Sequence, residues 1–378
     1  MDGPFYFYLC SMRRLFSVLI CFGLSWTSAK SQVSYLDRPD LLEHVENCLD
    51  HTYGFSFTKA KRQQLILANL TPEHPAPFFL DALIIYWKHY PLTPGKKESE
   101  QFLALMEKCV QMAEAYTEND HTQLEGVFFD LFGRAFQAMF WADNGKPIKV
   151  VPDLGTMYQN TLEGFKLKEN FAEFYFSTGL YNYYIEAYPE ARPIYKPLVS
   201  FMQEGDKQLG LDQLKYAIDH TVYLKVESLL FMSLIQLNYE DNLSSALYYI
   251  SRLNHKYPQN IYYQGLLLTI LLHQGKFAEA RKVLEAISPQ EDDYSAMVRT
   301  MSKALLSEKY LRNDLHAKKG YLETVELAKS FGPIADMYKA IGYMGLSRIS
   351  EREELQHLAK KYARMASKHT VYSFILDE

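Results

Sequence analysis

The segment HQGKFAEARKVL, residues 273–284, decides how the chain is read. It carries no catalytic motif, yet its small and large residues are regularly placed: Gly275, Phe277, Ala280 and Leu284. Ala246 stands 34 residues before Ala280, in NLSSALYYISRLNHKYPQN. There Leu243 precedes the Ala by three residues, as Phe277 does, and Ile250 follows it by four, as Leu284 does. In FSFTKAKRQQLILANLTP, near the start, Phe57 again precedes Ala60 by three. Pro72 lies twelve after Ala60, as Pro258 does after Ala246. The Gly five residues before the Ala occurs only in the 280 unit; Asp241 and Phe55 hold that place in the others.

This spacing has a mechanical meaning. Two antiparallel helices that cross closely need a small residue at the crossing, and Ala supplies it. Pro cannot continue a helix, so it ends the second one and turns the chain into the next unit. A single hairpin cannot bury its own apolar face, so such units stack. The rest of the chain agrees: Phe129, Phe132, Phe136 and Phe140 recur at helical spacing and stop at Asn144-Gly145 and Pro147. Segments such as KPIKVV and YSFIL are too short for a sheet, so roughly sixteen helices and almost no strand are expected. Pro189, Pro193 and Pro197 deny a continuous helix in EAYPEARPIYKPLV and put a boundary near residue 189.

The first residues read as a targeting segment. Arg13 and Arg14 precede the apolar run LFSVLICFGLSW, and small residues follow in TSAKSQ. Met12 is a candidate start. Leu19 and Ile20 occupy the places before Cys21 that a lipidation signal gives to small residues. The expected organisation is a signal peptide over 1–31, a helical repeat region over 32–188 and a second over 189–378. Removing the signal takes Asp2, Arg13, Arg14 and Lys30 with it, and moves the net charge from -5 to -7. Of the four cysteines, Cys48 and Cys109 remain, too few for a disulfide framework. The acidic balance and the lack of a basic run argue against nucleic acid. The mature chain is expected to be exported, periplasmic or associated with the outer membrane, and not transmembrane.

A 34-residue unit with a central Ala resembles the tetratricopeptide repeat. Over about residues 36–350 the chain looks like an exported bacterial tetratricopeptide-repeat (TPR) protein. Residues 179–260 resemble the tetratricopeptide-repeat-39/Iml2 group, through Gly179, Pro189, Gly205-Asp206, Gly210-Leu211, Leu214 and Ala217. The resemblance implies an all-α fold, a TPR-like α-solenoid of antiparallel helix hairpins, that binds something and catalyses nothing. It also implies which first-helix positions face the groove. In the 246 unit these are Ser228, Phe231, Ile235, Asn238 and Tyr239; in the 280 unit they are Tyr262, Gly265, Thr269, Leu272 and His273. The Lys, Asn and Arg of a clamp for a chaperone's terminal carboxylate are missing there. The expected groove is apolar and Tyr-rich.

Two further clusters bear on function. His44, Cys48 and His51 lie at i, i+4 and i+7, on one helix face, and are zinc-type ligands. They also sit at packing positions of a first helix, and packing is the preferred reading, with no metal or cofactor expected. In FAEFYFSTGLYNYYIEAY, residues 171–188, Phe171 and Phe174 suit a core. Tyr181, Tyr184 and their neighbours point around the helix and cannot all share one core, so some are expected to line a groove or contact a neighbouring segment. The leading expectation is a non-catalytic scaffold holding a protein or peptide partner in the cell envelope. Its groove residues are Tyr239, Asn238, Phe231, Tyr262, Thr269, His273, Tyr181 and Tyr184. The alternative is a binding protein for a small apolar ligand or lipid, which requires an enclosed apolar pocket. An enzyme built on the His44 face ranks third.

Overall fold

The structure is a computed structural model that describes residues 34–36, 38–287 and 292–377. The expected signal peptide lies outside the described residues. Sixteen long helices pack in consecutive pairs, and no strand occurs among the described residues. The pairs are α1 (Pro39–Tyr53) with α2 (Phe57–Leu70), α3 (Ala76–Lys88) with α4 (Lys97–Thr117), and α5 (Gln123–Asp143) with α6 (Leu154–Leu167). After α7 (Phe174–Ala191) and the four-residue α8 (Lys196–Val199) comes α9 (Lys207–His220), which pairs with α7. Then follow α10 (Lys225–Asn238) with α11 (Leu243–Lys256), and α12 (Ile261–His273) with α13 (Phe277–Ala286). The last pairs are α14 (Asp293–Lys309) with α15 (Asp314–Leu327) and α16 (Asp336–Arg352) with α17 (Gln356–Ala366), before the short α18 (Ser373–Leu376). This is an α-solenoid of helix hairpins.

The unit read from the sequence is present, and more often than its spacing suggests. Ala60, Ala246, Ala280, Ala317 and Ala359 are all buried in second helices. Five residues before each, the backbone is left-handed: Phe55 (φ 57°), Asp241 (48°), Gly275 (71°), Arg312 (53°) and Glu354 (62°). One turn geometry thus joins the two helices in all five units, although only one uses the glycine that adopts it freely. In three units a small polar residue of the first helix donates to the carbonyl of the crossing Ala. These are the Cys48 thiol to Ala60 at 3.4 Å, Ser233 to Ala246 at 3.0 Å and Ser347 to Ala359 at 2.9 Å. Asn242 and Asn313 cap second helices, and Asn260 and Asp292 cap first helices, by accepting from backbone N–H groups two or three residues on.

In the α7–α9 pair, glycine replaces alanine at the crossing. A Cβ on Gly210 would stand 2.7 Å from the Gly179 carbonyl oxygen, and one on Gly179 would stand 3.0 Å from Leu214. Asp206 caps α9 through the Leu209 N–H at 2.9 Å. The Gly179, Asp206, Gly210 and Leu214 pattern therefore has a local packing cause. The proline-rich stretch differs from expectation: α7 runs through Pro189 to Ala191, and the helix breaks at Pro193. Pro189 stands two residues from the helix end, where the single lost backbone bond costs least.

First and second helices differ sharply in burial. In α12, Ile261 and every residue from Tyr263 to Leu272 are buried, whereas only Ala280 is buried in α13. A helix buried all round is apolar all round, and something must cover the face that an open solenoid leaves to solvent. Here the solenoid turns back on itself. Asp50 at the end of α1 accepts from Lys256 at 2.7 Å and from the Tyr257 hydroxyl at 2.6 Å. Asn260 donates to the Tyr53 carbonyl at 3.2 Å. The Tyr90 ring, just past α3, lies 5.4 Å from Tyr262 and 5.2 Å from Tyr294. The described residues form one compact unit.

Candidate functional site

The first helices face inward, so the groove positions read from the sequence lie on the inside of a closed turn. Ser228, Ile235, Thr269 and Leu272 are fully buried, and the Thr269 hydroxyl is taken up by the Gly265 carbonyl at 2.9 Å. Tyr239 is half-buried between Tyr184, at 5.5 Å between ring centres, and Tyr372, at 5.6 Å. His273 meets the ring of Phe374 at 5.4 Å, donates from Nδ1 to the Thr269 carbonyl at 2.7 Å, and is pushed by burial down to about 3. The segment around α18 thus covers the part of the inner surface that carries Tyr184, Tyr239 and His273. Tyr181 lies elsewhere, donating to the Gln203 carbonyl at 2.6 Å beside Tyr158 and Phe165. Asn238 is half-buried at the end of α10.

Phe231 and Tyr262 have a different setting. They line a cavity of about 420 Å³ that remains of the inner groove. Its walls come from α3 (Tyr86, Trp87), α5 (Phe132, Phe136, Met139, Asp143), α7 (Phe176, Leu180), α10 (Glu227, Leu230, Phe231, Leu234) with Leu224 just before it, and α12 (Tyr262). Tyr90 completes the α3 side, and Pro333 and Ile334, from the 3-10 segment Ala328–Ala335 between α15 and α16, close one side. Gly332 makes that segment's bend with φ 59°.

The lining is apolar and aromatic apart from two carboxyl groups, Asp143 and Glu227, and it contains no Lys, Arg or His. Glu227 is 8% exposed. One of its oxygens accepts from the Tyr53 hydroxyl, and the other, Oε2, has no hydrogen-bond partner among the described residues. Asp143 makes no hydrogen bond or ion pair among the described residues. Burial raises both acids from the usual carboxylate range to about 7. Glu227 is buried and Asp143 half-buried, and an acid short of water and of a counter-charge releases its proton only at higher pH, because the charged form loses its hydration. Neither acid stood out in the sequence. In KVESLLFM, Glu227 reads as an exposed helix position, and only its place between Val226 and Leu229 hints otherwise.

The His44, Cys48 and His51 face does not gather into a site. His44 bonds Gln63 at 2.7 Å, and Cys48 is fully buried, its thiol raised by burial to about 12. No group of three or more His, Cys, Asp or Glu side chains is placed to hold a metal among the described residues. No described helix is long and apolar enough to cross a membrane. No family model matches the chain, and no curated protein matches it in sequence. The tetratricopeptide resemblance therefore rests on the residues quoted for it.

Proposed function

We propose that this chain is a non-catalytic, tetratricopeptide-like binding protein of the cell envelope that encloses a small organic cation with an apolar body. One observation carries the reading: an aromatic cavity whose only charged groups are two acids, one of them with an unpartnered oxygen. The volume suits a small-molecule site. Trp87, Tyr90 and Tyr262 line the cavity, and an aromatic face attracts a cation by about 0.5–1 kcal/mol at exposed sites and about 2 kcal/mol when desolvated. A cationic head also supplies the counter-charge that Asp143 and Glu227 lack, which removes the cost of ionising them. An anion would meet those two acids without compensation. The alternative expectation of an enclosed apolar pocket fits this cavity better than the open-groove expectation does, since the chain itself fills that groove around Tyr239 and His273.

The test is a calorimetric titration of the full chain with phenethylammonium, its neutral analogue 2-phenylethanol and the anion 3-phenylpropionate. The cation should bind at least tenfold more tightly than the alcohol, and the anion not at all. The Asp143→Asn/Glu227→Gln double variant should lose that preference while keeping its helical circular-dichroism signal. Equal binding of cation and alcohol, or an unchanged preference in the variant, refutes the reading.

A further inference from the structure

A second concavity lies on the outside of the solenoid, in the first two hairpins, and its chemistry is the reverse of the cavity's. The second helices α2 and α4 stand apart, leaving a cleft of about 1460 Å³ with α3 as its floor. Apolar side chains line the bottom: Leu65 and Ile66 from α2, Phe78 and Ile85 from α3, Leu105 from α4. All five keep some surface open to solvent, and Leu65 is 49% exposed. An exposed apolar strip of this kind, rimmed by polar groups, marks an interaction site more often than chance.

The rim is basic. Lys59 and Arg62 on α2, Lys88 at the end of α3 and Lys108 on α4 all border the cleft and are exposed. None of the four has an ion-pair partner among the described residues. The single acid of the lining, Asp81, is already held by Lys61 at 2.7 Å. The cleft therefore presents four uncompensated positive charges along an apolar floor, on a protein whose overall charge is -5. The basic rim stands against the charge of the whole chain, so it is a local feature and not a consequence of composition.

We infer that this cleft docks an amphipathic helical segment of an acidic protein partner. The segment's apolar stripe would lie on Leu65, Phe78, Ile85 and Leu105, and its flanking carboxylates would reach Lys59, Arg62, Lys88 and Lys108. Laying a helix into an apolar groove is an established mode of peptide recognition, read as anchors at i, i+3, i+4 and i+7. Charge complementarity at the rim selects the partner's sign and sets the rate of encounter. This surface is independent of the interior cavity, so the failure of one proposal leaves the other standing.

The experiment uses three labelled 18-residue helical peptides with the full chain and reads fluorescence anisotropy. One carries a leucine stripe flanked by Glu, the second the same stripe flanked by Lys, and the third the Glu flanks with Ser in place of the leucines. The Glu-flanked leucine peptide should bind at least tenfold more tightly than either other. Raising the salt from 50 to 300 mM should weaken it severalfold. The Arg62→Glu/Lys108→Glu variant, altered only at exposed positions, should reverse the preference and favour the Lys-flanked peptide. Equal binding of both charged leucine peptides, or no change of preference in the variant, overturns the inference. A concentration-dependent dimer in sedimentation that the same variant dissociates would overturn it too, by identifying the occupant as a second copy of the chain.

Discussion

The inner cavity and the outer cleft are built from neighbouring faces of the same helix, α3, and they are opposites. Tyr86 and Trp87 on one face help wall a partly open cavity whose lining holds two acids and no base. Phe78 and Ile85 on another face floor an open channel with four bases that have no ion-pair partner among the described residues. Closure makes the difference. The inner face of α3 meets α12 across the turned-back solenoid, through Trp87 and Tyr263 at 5.7 Å between rings. The outer face lies between its neighbours α2 and α4. Repeat proteins usually offer one concave surface, because each repeat touches only the next. Here the solenoid has used most of that surface to hold itself together, leaving a remnant pocket inside and moving open contact area to the back.

The sharpest way to break this comparison is to delete one large apolar side chain on each side. Trp87→Ala should cost about 3–5 kcal/mol, because it opens a void between two distant repeats. Leu65→Ala, on the cleft floor, should stay within about 1 kcal/mol, because half of its surface is already in water. Urea unfolding measures both, and equal losses would mean that the two faces are not distinct.

The acids of the cavity give the next largest effect. Glu227 faces Tyr53 from α1, Tyr257 and Tyr263 beside and within α12, and Glu173 ahead of α7; Asp143 faces Tyr86, Tyr90 and Tyr262. Both acids are raised to about 7 in the folded chain from unfolded values of 4.5 and 3.8. Between those values the folded state holds protons that the unfolded state has released. Their stability contribution is therefore complete below about pH 4 and is lost as the pH rises to about 7. For Glu227 the loss is on the order of 3 kcal/mol. Melting temperatures across pH 4.5–8 should fall less steeply in Glu227→Gln, which can still accept from Tyr53. Parallel curves for the two proteins would show that Glu227 is already matched by a charge.

The smallest effect lies away from both concavities. Arg312→Gly and Glu354→Gly relax left-handed turns at exposed positions. Each should raise stability by up to about 1 kcal/mol, the balance of relieved strain against glycine's greater unfolded freedom. Gly275→Ala, at the same place in its own unit, should lower it by a similar amount. A stabilised Gly275→Ala variant would show that the turn geometry is not under strain.

The repeat was legible where its period held. Ala246 and Ala280 are 34 residues apart, and the residues around them fix both hairpins. Ala317 and Ala359 were missed because 37 residues separate Ala280 from Ala317 and 42 separate Ala317 from Ala359. The long α14 and the 3-10 segment after α15 absorb the surplus. The turn was legible only as Gly275, since Phe55, Asp241, Arg312 and Glu354 carry no local sign that their backbone is left-handed. The site was legible as a set of inner positions, but not as a surface. Tyr262 and Phe231 were picked out by register, yet what covers their neighbours comes from contacts such as Tyr257 to Asp50, 207 residues apart. Periodicity within one hairpin says nothing of such partners. Asp143 ends a helix whose reading is dominated by Phe129, Phe132, Phe136 and Phe140, so its place in the cavity became visible only with α10 and α12 beside it.

The return of the solenoid on itself also has a consequence in time. A chain is made from its first residue at about 5–20 residues per second. Asp50 and Tyr53 therefore exist for roughly 10–40 s before Tyr257 and Asn260 do. During that interval Tyr86 and Trp87 have no α12 to lie against. The first three hairpins are made as an unfinished wall, with an aromatic face open to any other apolar surface nearby. Burial of that aromatic face of α3 therefore waits on the arrival of α12.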